Sequence, residues 1–147
     1  MTRLVCQINH YRSSIDGTEQ PYAILGHSPG KDPAACVVLL HPSLTDIGKE
    51  AFIEYAFGEM ARWRSAIERS DRAAVVVIPR GRGNASWMGP AGDDLWNVLE
   101  DVARFHPLDS DAIYLAGEGS GATGALQLAC WHPDRWAALA VAGPTID

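Results

Sequence analysis

Apolar residues change their spacing several times along this chain, and the changes mark out its elements. RLVCQIN (3–9) and PYAILG (21–26) are short apolar stretches flanking the polar SIDGTEQ, whose Asp16-Gly17 favours a tight reversal. This pair predicts an antiparallel start within residues 1–30. AACVVLLH (34–41) and AAVVVIP (73–79) are then continuously apolar and rich in Val, the pattern of strands covered on both faces by helices. AIYLAG (112–117) and the Ala-rich WAALAVAG (136–143) belong with them.

Between these runs the period lengthens to that of a helix. Ile53, Ala56, Phe57, Met60, Trp63 and Ile67 recur at three and four residues within 50–68, giving one apolar stripe for packing on a sheet. Leu95, Val98, Leu99 and Val102 make a second within 93–105, with Asp93 or Asp94 placed to cap or complement the helix start. Ala122, Ala125, Leu126 and Ala129 make a third within 121–131, small enough for close approach to a sheet. The order is a ββ start, then a βαβαβαβ core over 34–143. It predicts one α/β domain over 1–147, a mainly parallel sheet with helices on both faces.

Composition narrows the functions this domain can have. A length of 147 residues with 47% hydrophobic and 20% charged content suits one soluble globular domain. Twelve Lys and Arg in a chain of net charge -6 leave no basic stripe to follow a phosphate backbone, so nucleic acid is not an expected partner. The start MTRLVCQINHYRSS has too short an apolar run for a signal peptide, and no stretch approaches a membrane span. A cytoplasmic location without membrane contact is the expectation. Cys6, Cys36 and Cys130 are odd in number and far apart, which points to buried thiols rather than disulfides or zinc. No two histidines have metal-ligand spacing, and neither a metal nor a cofactor is expected.

Ligands of open α/β sheets bind beyond the carboxyl ends of the strands. There the chain carries HPSLTD (41–46), RGRGNASW (80–87) and EGSG (118–121), all polar or Gly-rich; the second lies in PRGRGNASWMGPAG (79–92), long enough to suggest function. The third has two readings. Gly119, Gly121 and Gly124 spell G-x-G-x-x-G, a dinucleotide loop, while Gly117-Glu-Gly-Ser-Gly121 is a G-x-S-x-G with glycine at its centre. The dinucleotide reading meets two obstacles: four or five strands precede the loop, and the next strand ends in AVAGP with no acidic residue for a ribose.

YRSSIDGTEQPYA, VVLLHPS, IPRGRGNASW, DDLWNVLEDV, IYLAGEGSG and HPDRWAALAVAG, taken in order, resemble the front portion of α/β-hydrolase-fold serine hydrolases, most like the prolyl oligopeptidase and related esterase branch. The resemblance implies a truncated α/β-hydrolase fold and a small-molecule ester or peptide as substrate, if any. With HPDRW aligned, Gly117 and Gly121 take the flanking glycine places, Glu118 the variable place and Gly119 the nucleophile's place. Ser120 falls one residue later, where the family uses a backbone N–H as oxyanion donor. Slipping the register would make Ser120 the nucleophile, at the cost of putting Glu118 where a small residue belongs. HPS (41–43) resembles the loop of the second oxyanion donor. Pro42 has no N–H, so Ser43 is the candidate donor. His41 would shape that loop, and serves as a less favoured candidate for general base. Arg82 resembles a residue at the site mouth, where a salt bridge holding the loop is favoured over a clamp on a substrate carboxylate.

A triad also needs an acid and a histidine, and after Ser120 the chain has only His132, Asp134 and Asp147. His132 and Asp134 are expected at the far end of the helix leaving the elbow, roughly 17 Å from Ser120 and out of reach for proton transfer. His10, His27 and His106 read as loop or strand-edge residues. Three readings stay open. The chain is a truncated serine hydrolase, inactive alone, whose missing strands and triad come from elsewhere; or a noncatalytic relative binding a carboxylate or similar anion at the elbow; or a dinucleotide-binding domain. The first leaves an apolar last strand near a sheet edge, for which self-association or a complementing chain is expected.

Overall fold

The computed structural model describes residues 3–44, 48–83 and 87–145. β1 (Leu4–Arg12) and β2 (Glu19–His27) form the antiparallel start. Then come β3 (Ala34–Leu40), α1 (Lys49–Glu68), β4 (Ala74–Pro79), α2 (Pro90–Phe105), β5 (Leu108–Glu118), α3 (Ser120–Trp131), a 3-10 turn at Pro133–Arg135, and β6 (Ala138–Ala142). The six strands make one sheet in the order β1-β2-β4-β3-β5-β6. β2 meets β4 antiparallel, and the β4-β3-β5-β6 block is parallel.

The handedness of parallel crossovers explains where the helices lie. From β3 the chain moves one place towards β2, and from β4 and β5 it moves the opposite way. Right-handed connections running in opposite directions must cover opposite faces. Accordingly α1 packs on one face through Phe52, Ala56, Met60 and Ile67 against Leu39, Val76 and Ile78. α2 and α3 share the other through Leu95, Val98, Val102, Ala125 and Leu128 against Cys36, Val38, Val75 and Val77. Successive Val residues of β4 therefore feed two cores, and this is why the strand is apolar throughout. The connections leaving β3 and β5 diverge, so a crevice opens between the carboxyl ends of these neighbouring strands.

Several elements differ in detail from the pattern along the chain. β5 begins at Leu108 and α2 at Pro90, each earlier than the apolar spacing places it. In α1 the buried stripe runs through Phe52, while Phe57 is 47% exposed. In α3 the close approach is made by Gly121, Ala122, Gly124, Ala125 and Leu128, which turns Leu126 outward. α2 has Gly89 as its N-cap with no side-chain cap, because the helix starts at Pro90 and leaves both acids inside it: Asp93 complements the first turn, and Asp94 bonds Ser13 and Arg82. Only Cys36 is a buried thiol; Cys6 and Cys130 are exposed, on the outer strand β1 and the outer side of α3. Among the described residues no helix is long and apolar enough to cross a membrane.

Candidate active site

The crevice between β3 and β5 brings together HPS (41–43) and EGSG (118–121), 77 residues apart in sequence. The turn from β5 into α3 is very tight. A Cβ on Gly117 would run into the carbonyl of Gly121, and one on Gly121 into the carbonyl of Leu40, so neither place admits a side chain. Gly119 forms the apex at φ 58° and ψ -124°, a conformation that a residue with a Cβ adopts only under strain. The apex is also fastened. Its N–H donates to Ala142 O at 3.0 Å, and its carbonyl accepts from the N–H groups of Ala122 (3.0 Å) and Thr123 (3.2 Å).

Ser120 follows as the first residue of α3, and its Oγ lies 3.0 Å from Ser43 Oγ, one hydroxyl donating to the other. Both candidate oxyanion residues thus flank the same mouth. His41 does not offer a base to them. Its ring is 1% exposed, boxed by Phe52, Tyr55 and Trp87, and its Nδ1 and Nε2 each lie 2.7 Å from a backbone carbonyl oxygen, of Pro42 and Arg80. It braces the β3 loop against the β4 loop.

Trp87 holds the same loops from below. Its Nε1 donates to His41 O at 3.1 Å, and its ring and backbone fill a slot left by Gly81, Gly92 and Gly124. The three glycines of the G-x-G-x-x-G string therefore each have a place in this turn: apex, contact with β3, and contact with Trp87.

Arg82, expected at the mouth from the resemblance, is an ion-pair residue. Its Nε donates to Asp94 Oδ2 at 2.7 Å, Nη1 to Asp16 Oδ2 at 2.5 Å, and Nη2 to Ser13 Oγ at 2.8 Å. Ser13 Oγ donates in turn to Asp94 Oδ1 at 2.6 Å. The guanidinium holds Asp16 well below the usual carboxylate range, and the two carboxylates raise Arg82. Tyr11, desolvated and beside Asp94, is pushed above its ordinary value. This network ties the β1–β2 turn to the start of α2 and holds Arg82 at φ 59°, the one positive φ outside glycine among the described residues.

His132 caps the far end of α3, edge-on to Trp96 at 5.0 Å, and Asp134 lies in the following turn, so neither approaches Ser120. His10 lies in β1 and His27 ends β2. His106 caps α2 at 4% exposure, and burial lowers its pKa. Asp147, Thr45, Asp46 and 84–86 of the long loop lie outside the described residues. Among those described, no group of three His, Cys, Asp or Glu residues could hold a metal ion.

Sequence reasoning missed the flank of the mouth. A cleft of about 540 Å³ runs beside it, lined by Pro42, Tyr55, Glu54, Glu59, Arg62 and Glu118 among others. Three carboxylates against one guanidinium make it acidic. Its α1 residues lie outside the apolar stripe, and nothing in their spacing marks them.

The fold as a whole has counterparts among solved structures. S-formylglutathione hydrolase (FrmB) from Staphylococcus aureus superposes with a TM-score of 0.74 at 19% identity, over 99% of this chain and 61% of that one. The chain has the α/β-hydrolase fold. Substrate-bound FphF, a fluorophosphonate-binding serine hydrolase of S. aureus, matches this fold with a TM-score of 0.66 at 18% identity over 92% of the chain and 55% of its own. Oligopeptidase B from Trypanosoma brucei, with covalently bound antipain, matches at 0.63 and 16% identity over 98% of the chain and 21% of its own. The chain spans about three-fifths or less of the length of these hydrolases. No family model and no curated protein sequence matches it.

Proposed function

We propose that this chain is a relative of the serine esterases and peptidases whose elbow carries glycine in the nucleophile's place, and that by itself it does not hydrolyse esters or peptides. The observation carrying this reading is the backbone of Gly119, which holds the apex between β5 and α3 while Ser120 lies inside the helix. Nucleophilic catalysis by serine needs an activated hydroxyl, a histidine within about 3 Å and a group to orient it. Ser120 has Ser43 as its hydrogen-bond partner, and His41 has both nitrogens on backbone carbonyls. Among the described residues no histidine and acid accompany Ser120, and in this reading they are supplied by another polypeptide segment. The elbow N–H groups could still stabilise a developing oxyanion, leaving a residual rate of about 10³ to 10⁴ over water.

A second reading, a noncatalytic carboxylate site, is favoured by the hydroxyls of Ser43 and Ser120 at the positive end of α3. Glu118, Glu54 and Glu59 in the adjoining cleft oppose it. A dinucleotide is less favoured still, because all three glycines of its motif are used in packing the elbow. For partners we favour self-association or a complementing chain along β6. All five of its residues are exposed, the apolar Leu139 at 36% and Val141 at 40%.

A fluorophosphonate probe and a chromogenic short-chain ester, applied to wild type, Ser120→Ala and Gly119→Ser, test the main reading. No labelling is expected in any of the three, and no turnover beyond a residual rate of about 10³ to 10⁴ over water that Ser120→Ala leaves unchanged. Labelling of the wild type that Ser120→Ala abolishes would make Ser120 the nucleophile and overturn the proposal.

A further inference from the structure

The loop opposite the apex carries Pro42, a residue with no N–H. An ideal Cβ built on Gly119 would lie 3.1 Å from Pro42 Cβ and 3.8 Å from Pro42 Cα, the first tighter than nine in ten real Cβ contacts. Such a contact is tolerable only where one partner can yield, and here both are pinned. Gly119 is held at its N–H by Ala142 and at its carbonyl by Ala122 and Thr123. Pro42 has a φ fixed by its ring and sits between two anchored neighbours. His41 is buried with its carbonyl bonded to Trp87, and Ser43 is hydrogen-bonded to Ser120.

We propose that Pro42 and Gly119 are a matched pair, in which the pyrrolidine of Pro42 closes the space where a nucleophile's Cβ would project. The elbow is then kept free of a side chain by two positions, one on each side of the crevice. Pro42 acts twice, since the residue that blocks the apex also brings no N–H to the mouth. This inference rests on placing Gly119 in the nucleophile's place, and it deepens that reading. A single reversion at Gly119 would restore the atom without restoring room for it.

A double-mutant cycle tests the pairing, because it subtracts what each substitution does by itself. Gly119→Ala is made in the wild type, in Pro42→Gly, which removes the opposing Cβ, and in Pro42→Ala, which keeps it. Urea unfolding supplies the equilibrium constants. In the wild type Gly119→Ala should raise the unfolding constant about 100-fold, roughly tenfold from backbone strain and tenfold from overpacking. In Pro42→Gly only the strain should remain, a rise of about tenfold, whereas in Pro42→Ala the penalty should stay near its wild-type size. If Gly119→Ala does not fold in the wild type, recovery of folding in Pro42→Gly supports the pairing. Equal penalties in all three backgrounds, or no folding in any of them, overturn it. Probe labelling of Ser120 bears on the proposed function and leaves this coupling unaffected, so the two failures are distinguishable.

Discussion

Replacing Arg82 by Ala should cost this protein about 2–4 kcal/mol, mostly through Asp94. Asp94 is 1% exposed, and its carboxylate is held by Arg82 Nε at 2.7 Å and Ser13 Oγ at 2.6 Å. Without the guanidinium it is a buried charge left to the hydroxyls of Ser13 and the adjoining Tyr11. Breaking a fully buried pair from one side costs about 3–5 kcal/mol. Arg82 is 20% exposed, so water can partly replace it and the lower part of that range applies. The pair with Asp16, itself 39% exposed, is screened by water and adds little. Arg82 also sits at φ 59°, so Arg82→Gly should be less harmful than Arg82→Ala by roughly 0.5–1 kcal/mol. Urea unfolding followed by tryptophan fluorescence reads these differences. Arg82→Ala combined with Asp94→Asn should cost less than the sum of the two by about 1–3 kcal/mol, because the two residues share one interaction. A loss below about 0.5 kcal/mol for Arg82→Ala, the range of an ordinary surface substitution, or strict additivity in the pair, would refute the reasoning.

Burial lowers the pKa of His106 from its ordinary 6.5, so the unfolded chain binds more protons there than the folded one. Stability from this group is present above pH 6.5 and is lost as pH falls through the lowered folded value, and His106→Gln should flatten the slope of unfolding free energy against pH in that window; an unchanged slope would count against it. Burial pushes the Cys36 thiol up to about 12 while Cys6 and Cys130 are exposed. Iodoacetamide at pH near 8 should therefore alkylate two thiols in the native protein and the third only after denaturation, and equal rates at all three would contradict the burial of Cys36. Sedimentation velocity over a range of concentrations should show association through β6, weakened by a charged residue in Leu139→Lys; a monomer stable at high concentration would remove that proposal.

The elbow was legible in sequence because its requirements are local. Gly117, Gly119 and Gly121 at alternate positions between an apolar strand and a helical stripe mark a turn where backbones crowd, while the register with Gly119 at the apex was implied only by the family resemblance with HPDRW aligned. The role of Arg82 was legible only as a preference for an ion pair. Its partners Ser13 and Asp16 come from a turn more than sixty residues earlier, and pairing over that distance leaves no trace in spacing. The same holds for Trp87 against three glycines, and for the acidic cleft, whose α1 carboxylates look like any solvated helix face.

What the sequence alone determined was the order and kind of the elements, since strand and helix periods are set by each segment's own pattern of apolar residues. It settled the mainly parallel sheet too, because βαβ connections permit little else. Only the tertiary structure decided that Pro42 stands against Gly119, that Asp94 serves Arg82 rather than the cap of α2, and that Phe57 and Leu126 face outward while Phe52 and Leu128 are buried. Each of these depends on where a helix comes to rest across the sheet. That is fixed by the volumes packed between the two layers, a property of the assembled core that no single segment contains.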